Sequence, residues 1–173
     1  MHPAAIILLV LLIVQRLSEL ALARRNARRA IARGGREYGA GHYPLIVALH
    51  VSWFLAWVVE HILRGGQLWH PWWPLAVMLF GTQIVRYWTI ATLGEAWNTR
   101  IIVVPGNKRV SGGPFRWFSH PNYVVVLTEF FIVPMLVGSY VTAIVGTLLN
   151  YFILTRIRIP AEEDALTVLG ETD

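Results

Sequence analysis

A histidine, an arginine and a run of aromatics, set between two apolar stretches, are the residues of this chain best placed to do chemistry. The segment Ser111-Gly-Gly-Pro-Phe-Arg-Trp-Phe-Ser-His-Pro-Asn-Tyr123 holds two glycines, two prolines, four aromatics, Arg116 and His120. Glycine lets a backbone approach a ligand closely and proline stiffens a loop. The His120-Pro121 step sets where the next helix begins. Upstream, Asn98, Arg100 and Asn107 add polar groups. The interleaved Trp97, Ile101, Val103, Phe115, Trp117 and Phe118 argue against disorder. Loops as long as Gly94–Asn122 are usually functional when ordered. The mixture suits a ligand with an aromatic base and a charged tail. It also suits an interfacial loop whose tryptophans sit at headgroup level.

A second cluster, Arg156-Ile-Arg-Ile-Pro-Ala-Glu-Glu163, follows a later apolar run. Arg158 and Glu162 are four apart and share a face if the segment is helical. Pro160 between them is tolerated in a first helical turn. Such a pair could recognise a zwitterion, hold an anionic acceptor or simply close a surface ion pair. Glu129 lies mid-way along an apolar stretch, where a charge is costly and invites a functional reading. It could orient or deprotonate a substrate, or pair with Arg86 or a histidine. Arg16 and Glu19, three apart, can pair with each other. His50 reads as a buried, hydrogen-bonded histidine, and Glu60 with His61 as a helix end reaching water. No histidine spacing matches a zinc site, and the chain has no cysteine, so neither a metal centre nor a disulfide is expected.

The elements that position these residues follow from composition. The chain is 55% hydrophobic and 14% charged, against about a quarter charged in soluble domains. Three blocks, Pro3–Ala23, Pro44–Leu63 and Trp72–Leu93, have the ~20 residues of a spanning helix. A fourth, Tyr123–Thr155, would run roughly 50 Å as one helix, too long for a ~30 Å hydrocarbon core. Pro134 and the Gly138-Ser139 pair are its natural break, predicting helices over Tyr123–Val137 and Tyr140–Thr155. The expected fold is one all-α membrane domain over residues 1–173, a five-helix bundle whose last two helices form a hairpin.

Arg24, Arg25, Arg28, Arg29, Arg33 and Arg36 crowd the first connection, opposed by Glu37. Placed in the cytoplasm by the positive-inside rule, they put the N-terminus outside and the C-terminus inside. The third connection, with Arg100, Lys108, Arg109 and Arg116, then also lies inside. The net charge of +5 is thus a topology signal and a contact for anionic lipid rather than a nucleic-acid site. The first helix, without a basic leader or cleavage signature, reads as retained.

Gly113-Pro-Phe-Arg-Trp-Phe-Ser-His-Pro-Asn-Tyr123 resembles the Gly-x-Tyr…Arg-His-Pro-x-Tyr signature of the isoprenylcysteine carboxyl methyltransferase family. Arg158-x-x-x-Glu162 followed by Glu163 is similar to that family's C-terminal element. Gly94-Glu-Ala-Trp-Asn-Thr-Arg-Ile-Ile-Val-Val-Pro-Gly106 resembles a bacterial branch found near lipid-making polyketide synthases. The likeness covers roughly residues 90–165. It implies an integral-membrane methyltransferase of the bacterial inner membrane, using S-adenosylmethionine from the cytoplasmic side and no metal. Residues 94–122 and 156–166 would form the cytoplasmic cofactor elements. By position, Val110, Phe115, His120, Pro121, Asn122 and Tyr123 would line the cofactor, with polar support from Arg100 and Asn107. Glu162 would bind its amino-acid end, and Arg158 would face the acceptor. The family's loop histidine, its tyrosine and the arginine before His-Pro fall on Asn107, Phe115 and Ser119, which removes polar contacts to the cofactor. Arg109 or Arg116 would have to compensate.

Methyl transfer from a sulfonium needs alignment and an ionised oxygen more than covalent catalysis. A carboxylate or acidic enol needs no base. An ordinary phenol would, with Glu129 or Glu163 as candidates. The implied acceptor is lipidic: a prenylated protein end, or a small alkylpyrone or alkylresorcinol-like lipid. Two rival readings remain at this stage. One is a membrane reductase using NADPH on a sterol-like lipid, and the other is a non-enzymatic scaffold or small transporter.

Overall fold

Helices account for most of the chain in a computed structural model that describes residues 1–170, with side chains to residue 167. In order they are α1 (Pro3–Ala32), α2 (Tyr43–Leu63), α3 (Trp73–Leu93), α4 (Pro121–Leu136), α5 (Tyr140–Ile153) and α6 (Ile159–Gly170). Three helical runs are long and apolar enough to cross a membrane by length and composition: Pro3–Ala32, Ala40–Leu63 and Tyr140–Thr167. α4 is apolar but shorter. α3 is long enough but carries Gln83 and Arg86. The architecture is that of an all-α membrane bundle, and large apolar side chains such as Leu55, Phe80 and Leu148 face outward. Lipid is the environment that accommodates so much exposed apolar surface.

α4 is the central helix, lying between α3 and α5. Its Val125, Val126, Glu129, Phe130, Ile132 and Val133 are all buried. A helix that is apolar on every side belongs inside. Trp53 of α2 stacks on Phe130 with ring centroids 4.6 Å apart and donates its indole N–H to the Phe130 carbonyl. Trp57, Val126, Val133 and Leu12 complete this core.

Four charges, Arg16, Glu19, Arg86 and Glu129, form one paired network inside the bundle. Arg16 of α1 donates to Glu19 at 3.0 Å and to Glu129 at 2.7 Å. Arg86 of α3 bonds Glu19 at 3.2 Å and grips Glu129 through both Nε and Nη2. Gln83 adds a 2.7 Å bond to Glu129, and Gln15 links Gln83 to Glu19. Both expected pairings, Arg16 with Glu19 and Glu129 with Arg86, therefore belong to one network that ties α1, α3 and α4 together.

Three local features differ from the sequence expectation. α1 runs nine residues past Ala23, because hydropathy marks the membrane exit and not the helix end. Arg24–Ala32 contains no proline or glycine, and the helix stops only before Gly34-Gly35. The break between α4 and α5 falls at Gly138-Ser139, where the expected helix bounds put it, with Pro134 accommodated inside α4. Gly138 has φ +74°, and a Cβ there would stand 2.8 Å from the Gln67 carbonyl oxygen. His61 does not reach water, and Glu60 is only partly exposed. Glu60 caps the start of α5 by accepting from the Val141 and Thr142 amides, and the fully buried His61 bonds the Val137 carbonyl at 2.6 Å. Finally, a two-stranded antiparallel ladder joins β1 (Arg36–Tyr38) to β2 (Ile101–Val103), pairing Glu37 with Ile102. Three-residue strands are too short for alternation to show in sequence. This ladder staples the segment after α1 onto the long Gly94–Asn122 connection.

Candidate active site

The polar loop and the C-terminal element meet at the start of α4. His120 stands at the N-cap position and Pro121 opens the helix, where a missing N–H costs nothing. The preceding Gly113–Arg116 forms a short 3₁₀ turn pressed on α3. Gly113 has φ +57°, and a Cβ there would lie 2.4 Å from Thr92 Oγ1, so glycine alone permits this approach. From the other direction α5 passes through a π-helical turn, Leu154–Arg158, directly into α6. In a regular helix the Pro160 ring would clash with the Arg156 carbonyl four residues back. The wider turn removes that clash and re-aims Arg158.

Three side chains then interlock across 35 to 39 positions of sequence. Arg158, only 6% exposed, donates from Nε to the Tyr123 hydroxyl and from Nη2 to the Thr99 carbonyl, each at 3.0 Å. The Tyr123 hydroxyl in turn donates to Glu162. Arg158 and Glu162 thus share a face as expected, but the tyrosine oxygen bridges them. His120 lies parallel to Tyr123 at 5.3 Å, with Nδ1 3.7 Å from Glu162 and Nε2 2.8 Å from Glu163. The carboxylates hold the imidazole pKa above its usual 6.5 against the opposing effect of burial. Glu162, the more enclosed of the two carboxylates, is the first cause of this rise, and Glu163 adds to it. Arg109 also contacts Glu163, at 3.3 Å.

A cavity of about 300 Å³ opens beside this cluster. That is the lower end of the range for small-molecule sites. Arg158, Glu162, His120 and Tyr123 line it from α4 and the tail. Pro121 and Asn122 line it from the first turn of α4, and Asn107, Val110 and Phe115 line it from the loop. Arg100 reaches the same cavity while bonding Glu37 at 3.0 Å and covering the Tyr43 ring. Ser119 and Arg109 line it as well. Glu129 and Glu163 stand outside the lining: Glu129 is spent in the buried network, and Glu163 orients His120 from the surface.

Three cavity residues hold buried polar atoms without a hydrogen-bond partner among the described residues: Asn122 Oδ1, Trp97 Nε1 and Asn150 Nδ2. A buried polar group without a partner is expensive, so such atoms around a cavity fit a polar ligand. In sequence Asn150 is only a polar residue within the apolar run Tyr123–Thr155. Thr99, whose carbonyl anchors Arg158, gave no sequence signal at all.

The family model described as the isoprenylcysteine carboxyl methyltransferase (ICMT) family matches residues 74–168, which takes in α3 and every element of this cluster. The chain belongs to that family. Family membership implies a membrane methyltransferase. Two relatives extend the similarity over α1 and α2. "Uncharacterized protein YpbQ" of Bacillus subtilis (strain 168) is 41% identical, across 92% of this chain and 95% of its own length. An "Uncharacterized protein" of Haemophilus influenzae is 26% identical, across 89% and 90%. No solved structure gives a significant match.

Proposed function

We propose that this ICMT-family protein is an S-adenosylmethionine-dependent O-methyltransferase that acts on a carboxylate or acidic hydroxyl of a lipidic acceptor. Its bundle crosses the membrane five times, with the N-terminus outside and the cavity facing the cytoplasm. The observation that carries this reading is the convergence of His120, Tyr123, Arg158 and Glu162 on one cavity, from segments far apart in sequence. The positive-inside rule supports the orientation, because the exposed arginines of the α1 end lie on the same side as the cavity mouth.

When bound, the cofactor supplies an electrophilic sulfonium methyl. The chain's own residues bind and align. Glu162, a carboxylate within a histidine, tyrosine and arginine setting, receives the cofactor's ammonium group. Val110, Phe115 and Pro121 offer apolar walls, and Asn122 Oδ1 an unsatisfied acceptor. His120 and Tyr123 form a stacked pair that fixes Glu162. Asn107 and Arg100 supply polar contacts at the loop side. Arg158 holds the acceptor oxygen, and its bonds to Tyr123 and Thr99 keep the guanidinium from wandering. In this reading Glu129 holds the bundle together, since its carboxylate already accepts from two arginines and a glutamine. The cavity mouth would admit a water-soluble cofactor from the cytoplasm, and the bundle would admit the acceptor's apolar tail from the bilayer. Prenyl, alkylpyrone and alkylresorcinol-like lipids all have that shape.

The test is a thermal shift of purified protein in detergent, beside transfer of labelled methyl groups into an extracted lipid pool. S-adenosylhomocysteine should raise the melting temperature, NADPH should not, and label should enter the lipid phase. No stabilisation by S-adenosylhomocysteine, or stabilisation by NADPH instead, would overturn the assignment.

A further inference from the structure

The cavity continues past Arg158 into the bundle. Its inner end is lined by Arg16, His50, Arg86, Thr89 and Asn150. Its depth follows from α2. Tyr43, at the start of that helix, hydrogen-bonds Thr99 at 3.1 Å, and the Thr99 carbonyl accepts from Arg158. His50 is seven residues further along, about 10 Å at ~1.5 Å per residue.

His50 has a defined tautomer. Its Nδ1 lies 2.8 Å from the Ile46 carbonyl oxygen. A carbonyl can only accept, so Nδ1 carries the proton and Nε2 presents a bare lone pair. Nε2 has no hydrogen-bond partner among the described residues. The ring is held edge-on against Phe130, with centroids 5.0 Å apart. Across the same space Asn150 Nδ2 is a buried donor without a partner. The nearby charges cancel: Arg16 and Arg86 stand against Glu19 and Glu129, all mutually bonded. The inner end therefore sets the His50 acceptor and the unpartnered Asn150 donor beside a charge-balanced network. A carboxylate has no proton to donate to the His50 lone pair. A neutral hydroxyl would donate to it.

We infer that this inner end recognises a second oxygen of the acceptor, a hydroxyl that donates to His50 Nε2 deeper in the cavity than the oxygen held by Arg158. The inference rests on the methyltransferase reading of the outer cavity and narrows its substrate class. The acceptor is a lipid whose head carries at least two oxygens, one of them a protonated hydroxyl, rather than a chain ending in a lone carboxylate. His50 is then a residue that determines specificity.

The experiment compares two probes of equal chain length, a pentadecylresorcinol and a meta-pentadecylphenol, which differ by one hydroxyl. Sites built to hydrogen-bond a hydroxyl discriminate strongly against analogues lacking it. The wild-type protein should favour the resorcinol in kcat/KM by about tenfold or more. His50→Phe should bring the two probes within about twofold of each other, and His50→Gln, which keeps an acceptor, should fall between. If neither probe is turned over, the same ratio is read from their binding, by quenching of tryptophan fluorescence with S-adenosylhomocysteine present. An unchanged ratio in His50→Phe, or no preference in the wild type by either readout, overturns the inference. S-adenosylhomocysteine affinity separates the two levels. Its absence in the wild type sinks the methyltransferase reading, whereas normal affinity with a ratio independent of His50 sinks this inference alone. His50→Gln also guards against a His50→Phe protein that does not fold.

Discussion

Replacing Glu162 by Gln separates cofactor binding from acceptor positioning more cleanly than any other single change. The substitution is nearly isosteric and leaves an oxygen to accept from Tyr123. What it removes is the negative charge facing His120 and the cavity. The Glu162 side chain is 28% exposed, so solvent screens part of that charge but not most of it. A charge-assisted hydrogen bond to an ammonium group is worth on the order of 1.5–3 kcal/mol, or roughly ten- to hundredfold in affinity. The lower half of that range is expected here, because the carboxylate is only partly enclosed. Calorimetric titration of detergent-solubilised protein with S-adenosylhomocysteine measures it directly. Arg158→Ala is the control: it should leave this affinity within about threefold while kcat/KM for the acceptor falls steeply. Arg158→Lys should recover only part of that loss, because an ammonium cannot hold Tyr123 and Thr99 in the fork that the guanidinium does. A Glu162→Gln protein that binds S-adenosylhomocysteine as tightly as the wild type would refute the role of this carboxylate. Equal loss of cofactor affinity in both variants would refute the division of labour.

Two further outcomes follow from the charges. Glu129→Gln leaves Arg16 and Arg86 without their shared carboxylate inside the bundle, a change that costs about 3–5 kcal/mol when a buried pair is broken on one side; the melting temperature in detergent should fall markedly while S-adenosylhomocysteine affinity, measured well below that temperature, stays unchanged, and an unaltered melting temperature would refute the structural reading. His120 has a raised pKa, so its ion-pair contribution to stability is fully present below the unfolded value near 6.5 and is lost as pH rises through the folded value; melting temperature scanned from pH 6 upward should therefore decline more steeply in the wild type than in His120→Asn, and parallel profiles would show that the imidazole gains nothing from Glu162 and Glu163.

The helical blocks were legible because a bilayer demands long apolar runs, and α2, α3 and the α4–α5 hairpin fall within a few residues of where hydropathy puts them. Hydropathy was silent about α1 beyond Ala23, since arginine and alanine prolong a helix in water as readily as leucine does in lipid. Grouping His120, Tyr123, Arg158 and Glu162 came from resemblance to a known signature and not from spacing: 35 residues separate Tyr123 from Arg158, and no local rule predicts contact at that distance. The local rule that was available, four-residue spacing of Arg158 and Glu162, put the two on one face but left a ligand site and a surface ion pair equally open; the structure bridges them through the Tyr123 hydroxyl.

Glu60, His61, His50 and Glu129 show the general difficulty. Each is a polar residue in an apolar helix, and in sequence each admits the same two readings, structural partner or site. What tells them apart is whether the polar atoms are already used. Glu60 is consumed in capping α5, His61 in holding Val137, and Glu129 in binding two arginines. His50 alone of the four spends one nitrogen on its own helix and keeps the other toward a cavity that also contains the cofactor elements. Partner accounting of this kind, rather than charge or depth, separates the polar groups among these four that build the bundle from the one that keeps an atom free at the cavity.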